Sequence, residues 1–500
     1  MTNKNLLQAM GRIAPELIAD AAPDILPNAV TDTPVRKTRR PWLKFGAAAA
    51  ACLVAVAGVG IGIRMSNGAR SSVLKTAQSK KMLLAAAIYP EMPDYPDVND
   101  YIDDWDAFHD ANIKWQEARR ALTDQPEGYT DGFDVFFSDS ARVFLSDAGN
   151  DNIVYSPLSL YMALGMSAEI TDGNTRQQIL DALAQDDIKT LRSHARSIWQ
   201  ANYIDDGIAK CVLATSLWMN NKLTYNKNTV DTLASNYYSS VFTGDPGSEE
   251  YNKLLREWLN EQTDGLLEDY VSGVEMPPET VLALAATVNY SGKWDSKFLK
   301  EYNEQGVFHT PNGDVQCEFM NKSSTTDYFW GDKFSSVTLD LEENGQMRLI
   351  LPDEDISAEE LWNDKEAMDY MLMGKDTEYT KCEHVLVDLS VPKFDVSSKI
   401  DLEDGLHELG ITDIFDSAKS DFTLLTDSVD AVRLDKAEQA ARVVIDEEGC
   451  KAAAYTFILN AGGALPTEKV DFVLDRPFIF EIISATGLPL FVGIINNPVQ

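Results

Sequence analysis

The sequence predicts a protein of mixed α and β structure, dominated by one large globular domain. Apolar and polar residues alternate in residues 385–391 and 479–483, which is typical of half-buried strands, whereas residues 132–144 indicate a helix. Hydrophobic residues make up 44% of the 500 positions and charged residues 24%, as in ordinary globular proteins. Length alone would allow about three domains. The dense patterning instead runs without interruption from residue 129 to the end of the sequence, which indicates one domain.

Charge and motif content exclude several classes of function. The net charge is −36, so a nucleic-acid partner is not expected, because phosphate binding needs a basic surface. No G-x-S-x-G, phosphate-binding loop or zinc-protease motif occurs, so we expect neither an enzyme nor a bound metal or cofactor. The cysteines have long, irregular spacings that fit no metal site, and we expect free thiols: Cys52, Cys211, Cys317, Cys382 and Cys450.

Residues 45–63 form an uncharged run without proline that predicts a membrane span. At ~1.5 Å per residue it nearly crosses a hydrocarbon core of ~30 Å. Five basic residues lie within nine positions before the run and one follows it, which places the N-terminus in the cytoplasm. Residues 1–44 carry a net charge of +3, and the chain after residue 63 carries −39. A cleaved signal peptide, a lipoprotein modified at Cys52 and a buried helix are the alternatives.

These observations divide the chain into four predicted segments. They are a cytoplasmic tail (1–44), a single-span anchor (45–64), a linker with an acidic, aromatic-rich extension (65–128) and the main domain (129–500). The tail faintly resembles those of membrane-anchored proteins of Gram-positive bacteria. In the extension, residues 104–122 predict a helix, and the aromatic residues of 88–128 are expected to pack partly on the main domain. The main domain is expected outside the cell.

Seven motifs in the main domain resemble, in order and spacing, those of the serpins, a family of serine protease inhibitors. They lie at residues 152–160 (N-x-x-x-S-P-L-S-L), 258–265, 289–298 (Y-F-K-G-x-W-x-x-x-F in the family), 392–394 (P-K-F), 409–415, 475–480 and 490–493. The resemblance implies an α+β serpin fold with about nine helices and three β-sheets. It also implies a large central sheet, sheet A, and an exposed reactive-centre loop.

One segment resembles the serpin hinge, E-E-G-[TS]-E-A-A-A-x-T, at the start of this loop. It comprises Glu447, Glu448, Gly449, Cys450, Lys451, Ala452, Ala453, Ala454, Tyr455 and Thr456. In the family, a protease cleaves the loop and is held as an acyl-enzyme while the loop inserts into sheet A. Strand residues alternate between faces, and here one face carries only small, uncharged side chains. An alanine-rich helix is the alternative from the residues alone.

Two counts, one forward from Gly449 and one back from Pro477, place the cleaved bond between Gly463 and Ala464. The surrounding residues are small and uncharged, so a protease pocket with a buried aspartate would be a poor match. We therefore expect a monomeric suicide inhibitor of elastase-like or subtilisin-like serine proteases.

Two positions depart from the family in the shutter, the region beneath sheet A where its strands part. The resemblance assigns Ser156 and Ser159 to the shutter, with Ala286 in place of asparagine and Gln439 in place of histidine. It assigns Trp294 to the breach, where the loop enters sheet A. The departures keep a second hypothesis open: a non-inhibitory serpin-fold module, tethered to the membrane, that binds or senses a partner.

Overall fold

The computed structural model describes residues 77–146, 149–341, 345–372, 379–427, 432–434, 437–450 and 468–499. The predicted tail and anchor (1–64), the hinge residues 451–456 and the predicted bond between Gly463 and Ala464 lie outside these residues. Within them, no helix combines the length and apolar character needed to cross a bilayer.

Eleven α-helices occur in the described residues, nine of them after residue 129. They are α1 (Ala77–Met82), α2 (Trp105–Thr123), α3 (Phe133–Leu145), α4 (Pro157–Ile170), α5 (Gly173–Ala182), α6 (Ile188–Asn202), α7 (Lys227–Asn236), α8 (Glu249–Gln262), α9 (Glu268–Val271), α10 (Lys365–Met371) and α11 (Glu403–Glu408), with 3₁₀ turns at Val98–Tyr101, Lys300–Tyr302, Glu359–Asn363 and Asp413–Phe415. The helices expected at 104–122 and 132–144 are confirmed as α2 and α3.

Seventeen strands are described. They are β1 (Leu83–Ala85), β2 (Ile153–Tyr155), β3 (Ile204–Asp205), β4 (Lys210–Asn220), β5 (Ser239–Gly244), β6 (Leu282–Lys293), β7 (Glu304–Thr310), β8 (Gly313–Trp330), β9 (Phe334–Asp340), β10 (Gln346–Pro352), β11 (Cys382–Pro392), β12 (Phe394–Asp401), β13 (Glu438–Ile445), β14 (Gly449–Cys450), β15 (Lys469–Val473), β16 (Phe478–Ile483) and β17 (Pro489–Ile495).

The strands of the described residues form three hydrogen-bonded sheets, but the strands are distributed among them differently from the three sheets expected. Strand β8 pairs with β7, with β11 and, at its end, with β9. One nine-stranded sheet therefore runs β15-β11-β8-β9-β10-β16-β17-β2, with β7 as the ninth strand, paired with β8. The expected central sheet is divided into a six-stranded part, β1-β5-β4-β6-β14 with β3 on β4, and a two-stranded part, β12-β13. The division between these two parts is the site described below.

Helix α4 forms the centre of the core between the six-stranded sheet and β17. Ser156 caps its N-terminus, where the side-chain oxygen accepts a hydrogen bond from the Ser159 N–H, and Pro157 occupies the first turn. Thirteen of its fourteen residues are buried, as expected for a helix that is apolar on all sides.

The chain divides into two compact units, and residues 96–114 belong to the smaller one. Within that unit the Phe108 ring contacts those of Tyr101 and Trp105.

In the larger unit, the chain before and after this segment packs on the body of the molecule. Strand β1 pairs with β5 and is the edge strand of the six-stranded sheet. The Tyr89 ring lies against Trp199 of α6 and Tyr203, the residue that follows this helix. The Trp115 indole donates a hydrogen bond to Asp206 (3.0 Å). Packing of this kind was expected from the aromatic content of residues 88–128, whereas strand β1 was not predicted.

Candidate loop-insertion site

The two parts of the divided sheet face each other across a gap between β6 and β13. Strand β6 pairs along one edge with β4, and β13 pairs with β12; in the described part of the chain no ladder joins β6 to β13. A water-sized cavity of about 30 Å³ lies in the gap. It is lined by Val288 and Tyr290 of β6 and by residues 442–444 of β13, together with Leu266, Ile482 and Phe491. The gap is therefore a place where one further strand could pair on both sides.

The hinge already occupies one end of this gap. After β13 the chain reverses in a tight turn, in which the Gly449 N–H donates to the Asp446 carbonyl (3.3 Å) and the Asp446 N–H donates to the Gly449 carbonyl (3.2 Å). Strand β14 then runs antiparallel to β6, with Gly449 opposite Lys293 and Cys450 opposite Gly292. The third and fourth residues of the predicted hinge segment, Gly449 and Cys450, therefore begin a strand inside the divided sheet.

Only glycine fits at the turn. Gly449 has φ +140°, a conformation that other residues rarely adopt. A Cβ atom at this position would lie 2.5 Å from the Gly292 carbonyl oxygen and 2.7 Å from the Lys293 Cα. Because both contacts are with backbone atoms, no side-chain movement could relieve them.

Trp294 joins the end of β6 to the hinge. Its side chain is buried, and the indole N–H donates to the Asp446 carbonyl (2.9 Å). Its backbone N–H donates to the Glu448 carbonyl (3.1 Å), and the Phe298 N–H donates to the Glu447 carbonyl (3.2 Å). Trp294 thus lies beside the hinge, at the end of the gap where the loop would enter.

Both glutamates of the hinge are paired with lysines. The Glu447 carboxylate is buried and accepts hydrogen bonds from Lys393 Nζ (2.9 Å) and Asn303 Nδ2 (2.5 Å). Burial opposes its negative charge, but these bonds outweigh burial and lower the pKa of Glu447. Glu448 pairs with Lys297. Lys393 belongs to the P-K-F motif, but the motif alone does not predict that this lysine pairs with the hinge.

The shutter residues make a different kind of contact. The Gln439 side chain is buried and bonds twice to the backbone of Ser156: Oε1 accepts from the N–H (2.7 Å) and Nε2 donates to the carbonyl (2.9 Å). The Ser156 hydroxyl donates to the Leu490 carbonyl (2.7 Å). By its resemblance to the family, Gln439 is expected to remove a histidine from a hydrogen-bonded network. The structure shows instead an amide that joins β13 to the start of α4.

On the β6 side of the shutter, Ala286 and Thr287 make fewer side-chain hydrogen bonds than Gln439 makes on the β13 side. Ala286 is half-buried and lies opposite Thr215 in the β4–β6 ladder. The neighbouring Thr287 hydroxyl is buried and has no hydrogen-bond partner among the described residues. The asparagine expected from the family is therefore replaced by a residue that offers β13 no side-chain hydrogen bond.

The described residues contain no cluster of side chains suited to a metal ion. Three cysteines are free thiols: Cys211 and Cys317 are buried, and Cys382 is partly exposed. Burial raises the pKa of the Cys211 thiol to about 12, so this thiol is neutral and unreactive at physiological pH.

Comparisons with known proteins agree with this geometry. Alpha-1-antitrypsin of Meriones unguiculatus is 28% identical over 370 residues, which cover 72% of this chain and 87% of the relative. Leukocyte elastase inhibitor of Sus scrofa is 28% identical over 365 residues, or 69% and 93%. The native structure of the thermophilic serpin tengpin superimposes with a TM-score of 0.66 at 24% identity, covering 74% and 95%, which shows a shared fold.

A family model described as serpin (serine protease inhibitor) matches residues 135–498. This is a family of inhibitors, so the expectation that the chain is not an enzyme is confirmed. On this match, the chain belongs to the serpin family.

Proposed function

We propose that this protein is a suicide inhibitor of serine proteases, in which cleavage of the loop after residue 450 lets the loop enter the gap as a new strand. The observation that carries the proposal is the pairing of Gly449 and Cys450 with the end of β6 next to an unfilled gap. A strand added there would gain backbone hydrogen bonds on both sides, which supplies the free energy for trapping.

The proposed bait bond lies between Gly463 and Ala464, and the proposed targets are elastase-like or subtilisin-like enzymes. Small residues around this bond suit a narrow specificity pocket. A relative named leukocyte elastase inhibitor supports this target class.

The test is incubation of the purified protein with pancreatic elastase and with subtilisin. The proposal predicts an adduct that survives SDS, and mass spectrometry of the released C-terminal fragment should place its first residue at Ala464 or within two residues of it. A matched control is Ala452→Arg, because a charged side chain on the inserting face should permit cleavage and prevent trapping. Cleavage without adduct in the natural protein would favour the non-inhibitory binding or sensing module instead.

We also propose that the protein is a bacterial, membrane-tethered member of the family with its serpin domain outside the cell. The uncharged run 45–63, the basic residues before it and the change from +3 to −39 across it support this orientation. Expressed in a bacterial host, the full chain should remain in the membrane fraction after carbonate washing and be accessible to added protease in intact cells. A chain starting at residue 66 should be released, and equal release of both forms would overturn the tether.

A further inference from the structure

A second carboxylate, that of Glu318, lies beside the lysine that holds the hinge. Glu318 is in the middle of β8, where it pairs with Gln305 of β7, and its backbone carbonyl accepts from the Lys393 N–H (2.9 Å). Its carboxylate lies 3.5 Å from Lys393 Nζ, while the Glu447 carboxylate lies 2.9 Å from the same atom. Lys393 is therefore placed between two carboxylates, one on the hinge and one on the nine-stranded sheet.

Asn303, the residue before β7, is shared in the same way. Its Nδ2 atom donates one hydrogen bond to Glu447 Oε1 (2.5 Å) and one to Glu318 Oε1 (2.8 Å). An amide nitrogen carries two hydrogens, so these two bonds use all of its donor capacity. The same two donors, Lys393 and Asn303, thus serve both carboxylates.

The two carboxylates compete for one positive charge. In the described part of the chain, Lys393 is the only base in ion-pair contact with either of them. Burial opposes the charge of Lys393, but its bond to Glu447 and its contact with Glu318 outweigh burial and raise the pKa of this lysine. The Glu447 side chain is 4% exposed and that of Glu318 is 41% exposed, so water supports the charge of Glu318 much better.

This arrangement changes what it costs for the hinge to leave its place. The bonds to be broken include those from the Trp294 and Phe298 N–H groups to hinge carbonyls and the pair between Glu447 and Lys393. Without a second partner, Lys393 would then be a partly buried ammonium with no counterion, which is unfavourable. Glu318 can instead close from 3.5 Å to the ordinary distance of about 2.8 Å, so the lysine stays paired.

We propose that Glu318 is a reserve acceptor for Lys393 and Asn303, which competes with the hinge carboxylate and so makes it easier for the hinge to leave its place. Glu318 acts on the hinge through these two donors, so it is a positioning residue. Its use in trapping rests on the proposed function, whereas the competition itself does not. Glu318 belongs to none of the seven motifs of the sequence.

The test measures how often the hinge leaves its place, by amide hydrogen exchange of the full-length protein without a protease. The Trp294 N–H is bonded to the Glu448 carbonyl and the Phe298 N–H to the Glu447 carbonyl, so both amides exchange when the hinge leaves. Mass spectrometry of a fragment spanning residues 294–298 reports this exchange. Glu318→Gln keeps the shape of the side chain and an acceptor for Asn303 but removes the charge. It should slow the exchange about threefold to fivefold, the size expected for one partly exposed ion pair.

Asp327→Asn is the matched control, because it also removes one negative charge from β8 but affects only an exposed pair with His384 (2.7 Å). Its exchange should equal that of the natural protein. In the Lys393→Met background, Glu318→Gln should have no effect, because the charge for which the two carboxylates compete is absent. Exchange of the β4–β6 ladder in the same samples checks that each variant keeps the fold.

Unchanged or faster exchange in Glu318→Gln would overturn the reserve acceptor, and faster exchange would mean that Glu318 helps to hold the hinge. A slowing that persists in the Lys393→Met background would also overturn it, since the effect would not pass through the lysine. Slower exchange in a protein that forms no protease adduct would overturn the proposed function alone. An adduct together with unchanged exchange would overturn the reserve acceptor alone.

Discussion

The breach and the shutter, two regions along the gap between β6 and β13, differ in the polar contacts that their side chains make. At the breach, Trp294, the residue after β6, donates to the carbonyls of Asp446 and Glu448, and the carboxylates of Glu447 and Glu448 are paired with lysines. At the shutter, the Gln439 side chain of β13 is hydrogen-bonded to the backbone of Ser156 in the core. On β6, Ala286 has no polar side chain, and the Thr287 hydroxyl has no hydrogen-bond partner among the described residues. The hinge is therefore anchored where insertion would begin, whereas at the shutter Ala286 and Thr287 give β13 no side-chain hydrogen bond within the described residues. The following variants test separate parts of this difference.

The largest effect is expected at the turn of the hinge, from Gly449→Ala. The added Cβ would collide with the backbone of Gly292 and Lys293, and a positive φ costs a non-glycine residue roughly 1–3 kcal/mol. The hinge should leave β6, and the number of inhibitor molecules consumed per protease molecule should rise about tenfold or more. Titration of a fixed amount of elastase measures this number. An unchanged value would show that the pairing of β14 with β6 has no part in trapping.

At the shutter, Gln439→Ala should destabilise the protein by about 1–3 kcal/mol. It leaves the buried N–H of Ser156 without its partner, while the Ser156 carbonyl loses one of its two hydrogen bonds and keeps the one from the Leu160 N–H. Gln439→His can restore one bond of the two, so about half of the loss should return. Denaturant unfolding followed by tryptophan fluorescence provides the measurement, with Glu438→Ala as the exposed control on the same strand. A loss below about 0.5 kcal/mol, the range of ordinary surface substitutions, would contradict the role of Gln439.

At the breach, Glu447→Gln should cost less, about 1–2 kcal/mol. The amide keeps the shape of the side chain but removes the negative charge that faces the Lys393 ammonium, so an ion pair becomes a weaker hydrogen bond from a cation to a neutral oxygen. Combined with Lys393→Met in a double-mutant cycle, the two changes should be strongly non-additive, because they remove the same interaction. Additive losses would mean that the ion pair does not hold the hinge.

The smallest effect is expected from pH. Because the pKa of Glu447 in the folded protein lies below its ordinary value of 4.5, its charge stabilises the fold above that pH, and the contribution is lost as pH falls through the folded pKa. The difference in melting temperature between the natural protein and Glu447→Gln should therefore be constant from pH 7 to 5 and shrink below pH 4.5. A difference that stays constant to pH 3 would show that the carboxylate is not held in its charged form.

Much of the fold could be predicted because strong local patterns and ordered motifs specify it. Helices α2 and α3 have clear ends and dense apolar positions, and each begins within one residue of its expected start. Strand β1 has three residues and no alternation of its own, so only pairing with β5 makes it a strand.

The site was harder to predict, because partners distant in sequence define it. Gln439 is only a departure from a motif until the fold brings it to Ser156, 283 positions away. Glu318 is likewise an ordinary residue in sequence, and only the fold brings it to Lys393.

Thermal unfolding before and after cleavage tests directly whether the gap between β6 and β13 accepts the cleaved loop as a strand. About ten new backbone hydrogen bonds at about 1 kcal/mol each should raise the melting temperature by roughly 13 °C, because the unfolding entropy of a domain of about 370 residues is about 0.8 kcal/mol per degree. The protein should be cut by a protease at low, non-saturating amounts, and the cut should be mapped to residues 457–467. A rise of this size would establish insertion, and an unchanged melting temperature in fully cleaved protein would contradict it.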